Sequence, residues 1–277
     1  LMVIGAGQMG SGIAQVAAQA GLTVYLYDIN PDFLNKGRKS IEKGLTKLVE
    51  KNKIAAEEKE EILGRIFPSE NLHDAAQVDL VVEAVVENFE TKCAIFRELN
   101  SICPEHVIFA SNTSSISITK LGKSSGRSDR FIGMHFMNPV PLMKLVEVIR
   151  GLDTREDVFS TITGLCQKMN KVPVEANDYP GFALNRILIP MINEAVYAVF
   201  EGVAKVEDID KIMTLGANQP MGPLALADLI GLDTCLYIME ILHKEFGDSK
   251  YRPCPLLRKY VNAGFLGKKS GQGFYKY

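Results

Sequence analysis

The sequence has no marked excess of charge of either sign. Lys and Arg number 31 against 33 Asp and Glu, a formal net charge of -2. A broad basic surface for nucleic acid is therefore excluded, and any anion site must be local. There is no Cys-x-x-Cys pair. The five cysteines, Cys93, Cys103, Cys166, Cys235 and Cys254, are odd in number and far apart. That excludes a disulfide framework and a structural zinc, so no metal is expected, and it fits a reducing compartment. There is no long uncharged apolar run. The longest stretch, Phe182 to Phe200, is interrupted by Asn185, Arg186, Asn193 and Glu194, so no membrane span is expected. Internal repeats, low-complexity segments and a signal-peptide pattern are also lacking, and a cytoplasmic location is the expectation. Leu1 already lies inside a strand-like run, so further residues are expected before it. A transit peptide there would make the mitochondrial matrix the alternative.

What is present is an ordinary globular composition, 47% hydrophobic and 23% charged, in 277 residues. That length suits one large domain or two smaller ones. The first two-thirds alternates short β-branched runs with helical stretches. Strands are expected at Leu1–Ile4, Thr23–Tyr27, Asp79–Val82, Val107–Ala110, Phe131–Phe136, Leu145–Ile149 and Val172–Glu175. Helices are expected at Gly10–Ala20, Phe33–Lys53, Ala56–Leu63, Phe89–Leu99 and Arg155–Met169. This alternation implies an α/β fold with a mostly parallel sheet and helices on both faces. After Asp178-Tyr179-Pro180-Gly181 the pattern turns helical, at Phe182–Glu201, Val206–Leu215, Leu232–Phe246 and Leu256–Ala263. Residues 1–178 and 179–277 are therefore read as separate domains, the second smaller and all-helical. Pro190 is expected to kink its helix.

Gly5-Ala6-Gly7-Gln8-Met9-Gly10 is a G-x-G-x-x-G between an apolar strand and a helix, and Asp28 ends the next strand 18 residues later. Gly5 permits the tight turn, Gly7 a close approach to a pyrophosphate, and Gly10 close helix–strand packing. The helix start at Gln8 and Met9 offers free N–H groups to phosphate. Asp28 would accept the adenine ribose hydroxyls and repel a 2′-phosphate, which points to NAD in a Rossmann-type domain. The competing interpretation is a glycine turn in another kind of α/β protein.

Ser111-Asn112-Thr113-Ser114-Ser115 follows a strand, where loops of parallel sheets face the ligand crevice. It suits a helix cap equally well. Among four histidines, His73, His106 and His243 have polar surroundings. His135 instead ends an apolar strand, with Glu147 on the next strand candidate. If the two strands are neighbours, carboxylate and imidazole meet, as a general base requires. Lys39, Lys43, Lys47 and Lys51 recur every four residues, forming either a solvated helix face or a docking strip for an anion.

These segments, together with Val81–Asn88, Lys144–Glu147, Pro180–Arg186, Gln219–Pro223 and Gly267–Tyr277, resemble in order the motifs of the 3-hydroxyacyl-CoA dehydrogenases, above all their compact, single-function bacterial form. The resemblance implies hydride exchange between NAD and an acyl-CoA substrate, with short chains such as 3-hydroxybutyryl-CoA expected. It implies a catalytic pair of His135 and Glu147, with Ser114 and Asn185 near the substrate oxygen. Asp28, Glu87, Lys92 and Asn112 would then lie along NAD, and Lys51 and Lys47 would meet the CoA phosphates. A homodimer through the C-terminal domain is a further expectation, since Leu184, Ile187, Leu188, Met191, Ile192, Val196 and Val199 occupy more than one helix face. Two alternatives differ in class. One is a β-hydroxyacid dehydrogenase with a catalytic lysine. The other is a nucleotide-binding structural protein, since a lens crystallin resembles this family.

Overall fold

A computed structural model describes residues 1–277. The chain divides into two compact units, Leu1–Asp178 and Tyr179–Tyr277.

The first unit runs β1 (Met2–Ile4), α1 (Gln8–Gln19), β2 (Val24–Tyr27), α2 (Pro31–Glu50), α3 (Ala56–Gly64), β3 (Ile66–Ser69), β4 (Leu80–Glu83), α4 (Phe89–Ile102), β5 (Ile108–Ser111), α5 (Ile118–Ser125), β6 (Phe131–Phe136), β7 (Leu145–Arg150), α6 (Glu156–Lys168) and β8 (Val172–Asn177). The eight strands form one sheet in the order β3-β2-β1-β4-β5-β6-β7-β8. The strands from β3 to β6 in that order are parallel, β7 is antiparallel to β6, and β8 is parallel to β7. The order reverses between β1 and β4, so the loops at their carboxyl ends open a ligand crevice. Val3, Leu26, Val82, Ala110, Met134 and Val148 supply the sheet's share of one apolar core, which Ile13, Ala17, Ile41 and Ile162 cover from the helices. Alternate residues of a strand face opposite sides, and the central strands are buried throughout, so they read as continuous apolar runs.

Two elements of this unit leave little trace in the sequence. β3 is Ile66-Phe67-Pro68-Ser69, and it lies at the sheet edge. An edge is where a strand tolerates proline, which has no N–H to donate. α5 is short and rich in Ser and Gly, both weak helix formers. Its start is fixed from a distance: Asp178 accepts hydrogen bonds from Ser117 Oγ and from the N–H groups of Ile118 and Thr119, at 2.7, 2.9 and 2.8 Å. The last residue of the first unit thus caps the helix that follows the Ser111–Ser115 loop.

The second unit consists of α7 (Leu184–Phe200), α8 (Val206–Gly216), α9 (Pro223–Ile230), α10 (Leu232–Phe246) and α11 (Pro255–Asn262). α7 runs through Pro190 as one element. α9 is apolar except for Asp228 and so carries no clear helical period, and its Pro223 stands at the first turn, where proline is tolerated. The chain's end is tied down by two buried aspartates. Asp210 accepts from the N–H groups of Leu224 and Ala225 and from Tyr275 Oη, and Asp228 accepts from the N–H groups of Phe274 and Tyr275. A side chain at Gly273 would place its Cβ 1.9 Å from Asp228 Oδ1. The glycine-rich ending Gly267–Tyr277 therefore has a packing role. All five cysteines are buried and unpaired, and no helix is long and apolar enough to cross a membrane.

Candidate active site

Gly7 is the N-cap of α1 and offers no side-chain cap to the free N–H groups of the first turn. Nothing lies within 4 Å of where its Cβ would be, whereas a Cβ at Gly10 would come 1.7 Å from the Gly5 carbonyl oxygen. The turn is thus closed beneath and open above, as a pyrophosphate cradle requires. Asp28 braces it from β2, with Oδ2 accepting the Ala6 N–H at 2.8 Å and Oδ1 the Asn30 N–H at 3.0 Å. Each oxygen keeps a lone pair for a ribose hydroxyl. The residues present fit a dinucleotide.

The antiparallel pairing of β6 with β7 sets His135 directly opposite Glu147. Both are buried, 7% and 3% exposed, and His135 Nδ1 lies 2.8 Å from Glu147 Oε2. An ionised carboxylate accepts the Nδ1 proton, which leaves the Nε2 lone pair as the ring's basic site. Asn112 Oδ1 accepts the Phe136 N–H at 2.9 Å, fixing the strand end beside His135. Gln8 Nε2 donates to Asn138 Oδ1 at 3.0 Å, joining the fingerprint helix to the loop after His135. The remaining histidines are exposed.

The Ser111–Ser115 loop does not cap α5, a task that falls to Ser117 and Asp178. It wraps the Glu87 carboxylate instead. Glu87 Oε1 accepts from the N–H groups of Ser114 and Ser115 at 2.9 and 3.2 Å, and from the hydroxyls of Thr113 and Ser115 at 2.5 and 2.9 Å. Lys92 Nζ lies 3.2 Å from Glu87 Oε2 and 2.6 Å from Glu83 Oε1, with Lys92 1% exposed. Burial by itself would raise the Glu87 carboxyl, but Lys92 and the loop's donors outweigh it and hold the group below its ordinary range. Among the residues expected along NAD, Lys92 therefore sits beneath the loop between two carboxylates. Glu83 was not anticipated. Its signal in the sequence is an acid closing an apolar strand, which is costly to bury without a partner.

Asn185 lies in the first turn of α7 in the second unit and is buried. Lys39, Lys43, Lys47 and Lys51 are all exposed. The first three share a shallow groove of 360 Å³ with Glu42, Thr46 and Glu50, so the stripe has both signs of charge along it. No group of His, Cys, Asp and Glu is arranged to hold a metal ion.

A family model described as "3-hydroxyacyl-CoA dehydrogenase, NAD binding domain" matches residues 1–179, and one described as "3-hydroxyacyl-CoA dehydrogenase, C-terminal domain" matches residues 181–277. A "Probable 3-hydroxybutyryl-CoA dehydrogenase" of Bacillus subtilis is 59% identical over 277 residues, covering 100% of this chain and 96% of the relative. The human "Hydroxyacyl-coenzyme A dehydrogenase, mitochondrial" is 46% identical over 285 residues, covering 99% and 90%. Among solved structures, an (S)-3-hydroxybutyryl-CoA dehydrogenase from Ralstonia eutropha superposes with a TM-score of 0.97 at 49% identity, covering 100% of this chain and 98% of that one.

The depressed Glu87 carboxyl makes a pH-dependent contribution to stability. A lowered folded-state value stabilises above the unfolded value, about 4.3 for Glu, and the gain is lost as pH falls through the folded value. Glu87→Gln should therefore lower the urea midpoint at pH 7 and differ less from wild type at pH 4. A gap that stays constant between these two pH values would show that the charge is not responsible.

Proposed function

The chain belongs to the 3-hydroxyacyl-CoA dehydrogenase family and is an NAD-dependent oxidoreductase; from that premise we propose that it interconverts short-chain 3-hydroxyacyl-CoA and 3-ketoacyl-CoA with His135 as acid and base. The observation that carries this reading is the direct cross-strand pairing of His135 with Glu147 at 2.8 Å. Bound NAD would supply the hydride acceptor or donor. His135 Nε2 takes the proton of the 3-hydroxyl as C3 gives up its hydride and the C3–O bond becomes a carbonyl. In reverse, the imidazolium returns the proton to the 3-keto oxygen. Glu147 fixes the Nδ1–H tautomer and offsets the positive charge formed on the ring. Ser114 holds the substrate oxygen in line, and Asn112, through the Phe136 N–H, holds the strand end that carries His135. Gly5, Gly7, Gln8, Met9, Gly10 and Asp28 bind the dinucleotide. Glu87 and Lys92 support it from beneath the Ser111–Ser115 loop.

The short-chain preference rests on similarity to relatives named for 3-hydroxybutyryl-CoA. NADH oxidation with acetoacetyl-CoA tests the whole reading. A β-hydroxyacid dehydrogenase would prefer the free acid, and a structural protein would bind NADH without turnover. The proposal requires turnover of the thioester, with kcat/KM higher for NADH than for NADPH, because the 2′-phosphate would meet Asp28. Equal kcat/KM for the two cofactors would contradict the role given to Asp28.

Lys47 and Lys51 are proposed to meet the CoA phosphates, since both are exposed at the end of α2. Changing both to Ala should raise KM for acetoacetyl-CoA and leave KM for NADH nearly unchanged. Added salt should weaken substrate binding more in wild type than in the variant. An unaltered KM would leave the stripe as a solvated face.

A homodimer through the second unit is proposed on its exposed apolar side chains, Ile187 (71% exposed) on α7, Ile212 and Leu215 on α8, and Leu229 on α9. Large apolar side chains left exposed on three helices of one unit favour burial against a partner. Light scattering at micromolar concentration should give twice the chain mass, and Ile187→Asp should weaken the dimer. A monomer in wild type would refute it.

A further inference from the structure

Glu83 ends β4 with a fully buried side chain. Three groups satisfy it. Lys92 Nζ lies 2.6 Å from Oε1, the Val85 N–H donates to Oε1 at 2.7 Å, and the Ser111 hydroxyl donates to Oε2 at 2.6 Å. Two routes then lead from Glu83 into one short segment. Ser111 Oγ accepts the Thr113 N–H at 3.2 Å. By the other route Lys92 reaches Glu87 Oε2, whose second oxygen holds the donors of Thr113, Ser114 and Ser115. Both converge on Thr113–Ser115.

We propose that Glu83 is a positioning residue for the reaction: through Ser111 and through Lys92 and Glu87 it fixes the loop that aims Ser114 at the substrate oxygen. This rests on the role given to Ser114 above. A stabilising role alone is a poor account of the cluster. Desolvating two carboxylates and an ammonium costs free energy that an apolar replacement of similar volume would avoid, and such replacements are often neutral or stabilising. What an apolar pair in place of Glu83 and Lys92 could not do is keep the Glu87 anion in place beneath the donors of Thr113, Ser114 and Ser115. The Glu87 cradle needs that carboxyl ionised, and Lys92 keeps it so. Lys92 needs Glu83 as well, because without it the ammonium is drawn wholly onto Glu87 and the cradle is pulled away from the loop.

The test compares Glu83→Gln, Ser114→Ala, the two combined, and Glu83→Gln/Lys92→Met. Turnover is measured with acetoacetyl-CoA and NADH and expressed per NADH-binding site. Glu83→Gln should lower kcat by roughly 10- to 100-fold, the loss expected when a reacting group is displaced by up to about 1 Å. In the Ser114→Ala background the same change should cost less than about 3-fold, since its target is gone. Glu83→Gln/Lys92→Met removes the 2.6 Å ion pair altogether and leaves Glu87 to the loop's donors, and kcat should stay low whatever the thermal stability. This double variant also carries the test if Glu83→Gln alone does not fold. If Ser114→Ala lowers kcat but the Glu83→Gln loss multiplies with it in full, or if the double variant regains kcat, the positioning role is overturned and the proposed function stands. If Ser114→Ala leaves kcat unchanged, the role of Ser114 fails first and the inference with it.

Discussion

The antiparallel pairing of β6 with β7 is the constraint on which the site depends. In a parallel sheet, a residue at a strand's carboxyl end faces only other carboxyl ends across the ladder. Reversing one strand brings the start of β7 beside the end of β6, and the register places Glu147 opposite His135. A one-residue slip would turn every side chain of β7 to the other face. Val146 and Val148 are buried, so the core resists such a slip. The short connection from Met137 to Lys144 is also tied down. Lys171 Nζ donates to the carbonyl oxygens of Val140 and Met143, and Asn138 is held by Gln8. Packing thus specifies the geometry of the pair before any substrate arrives, which is what preorganised acid–base chemistry requires.

A second device carries the other half of the crevice. A buried carboxylate at the end of β4, a buried lysine on α4 and a half-buried carboxylate between them form one cluster beneath the loop after β5. Each strand end in the order β1, β4, β5, β6 therefore contributes one function. β1 leads into the dinucleotide turn, β4 into the charged cluster, and β5 into the serine loop. β6 carries the histidine. The strand order explains why residues as distant in sequence as Gln8 and Asn138 lie within hydrogen-bonding distance.

Much of this was legible from local signals. The G-x-G-x-x-G followed by Asp28 has a physical meaning at each position, and the alternation of apolar runs with helical stretches is the pattern of a mostly parallel sheet. Phe131–Phe136 was readable to the residue as a short apolar run, and Leu232–Phe246 as a helical apolar pattern that Gly231 and Gly247 bound on either side. What escaped was decided by distant partners. β3 contains a proline that only an edge tolerates. α5 starts where Asp178, some sixty residues away, supplies the cap, and α9 is apolar at nearly every position, Leu229 exposed and Leu224 buried alike, and so has no clear period. Glu83 was hidden for a related reason, since its value lies in Lys92 and Ser111, and spacing alone does not bring those together. The serine loop had two readings in sequence, a cap or a site, and only Glu87 in its centre separates them.

The central claim is that His135 and Glu147 act as one unit, and a double-mutant comparison tests it most directly. His135→Gln should lower kcat by about 10²–10⁴-fold, the usual contribution of a positioned acid–base group. Glu147→Gln should lower it as well, because it keeps the shape but removes the charge that supports the imidazolium. The combined variant should be little worse than His135→Gln, since Glu147 has no task once the histidine is gone, and NADH binding should survive in all three. Losses that multiply would show that Glu147 acts independently, and full activity in His135→Gln would place the base elsewhere.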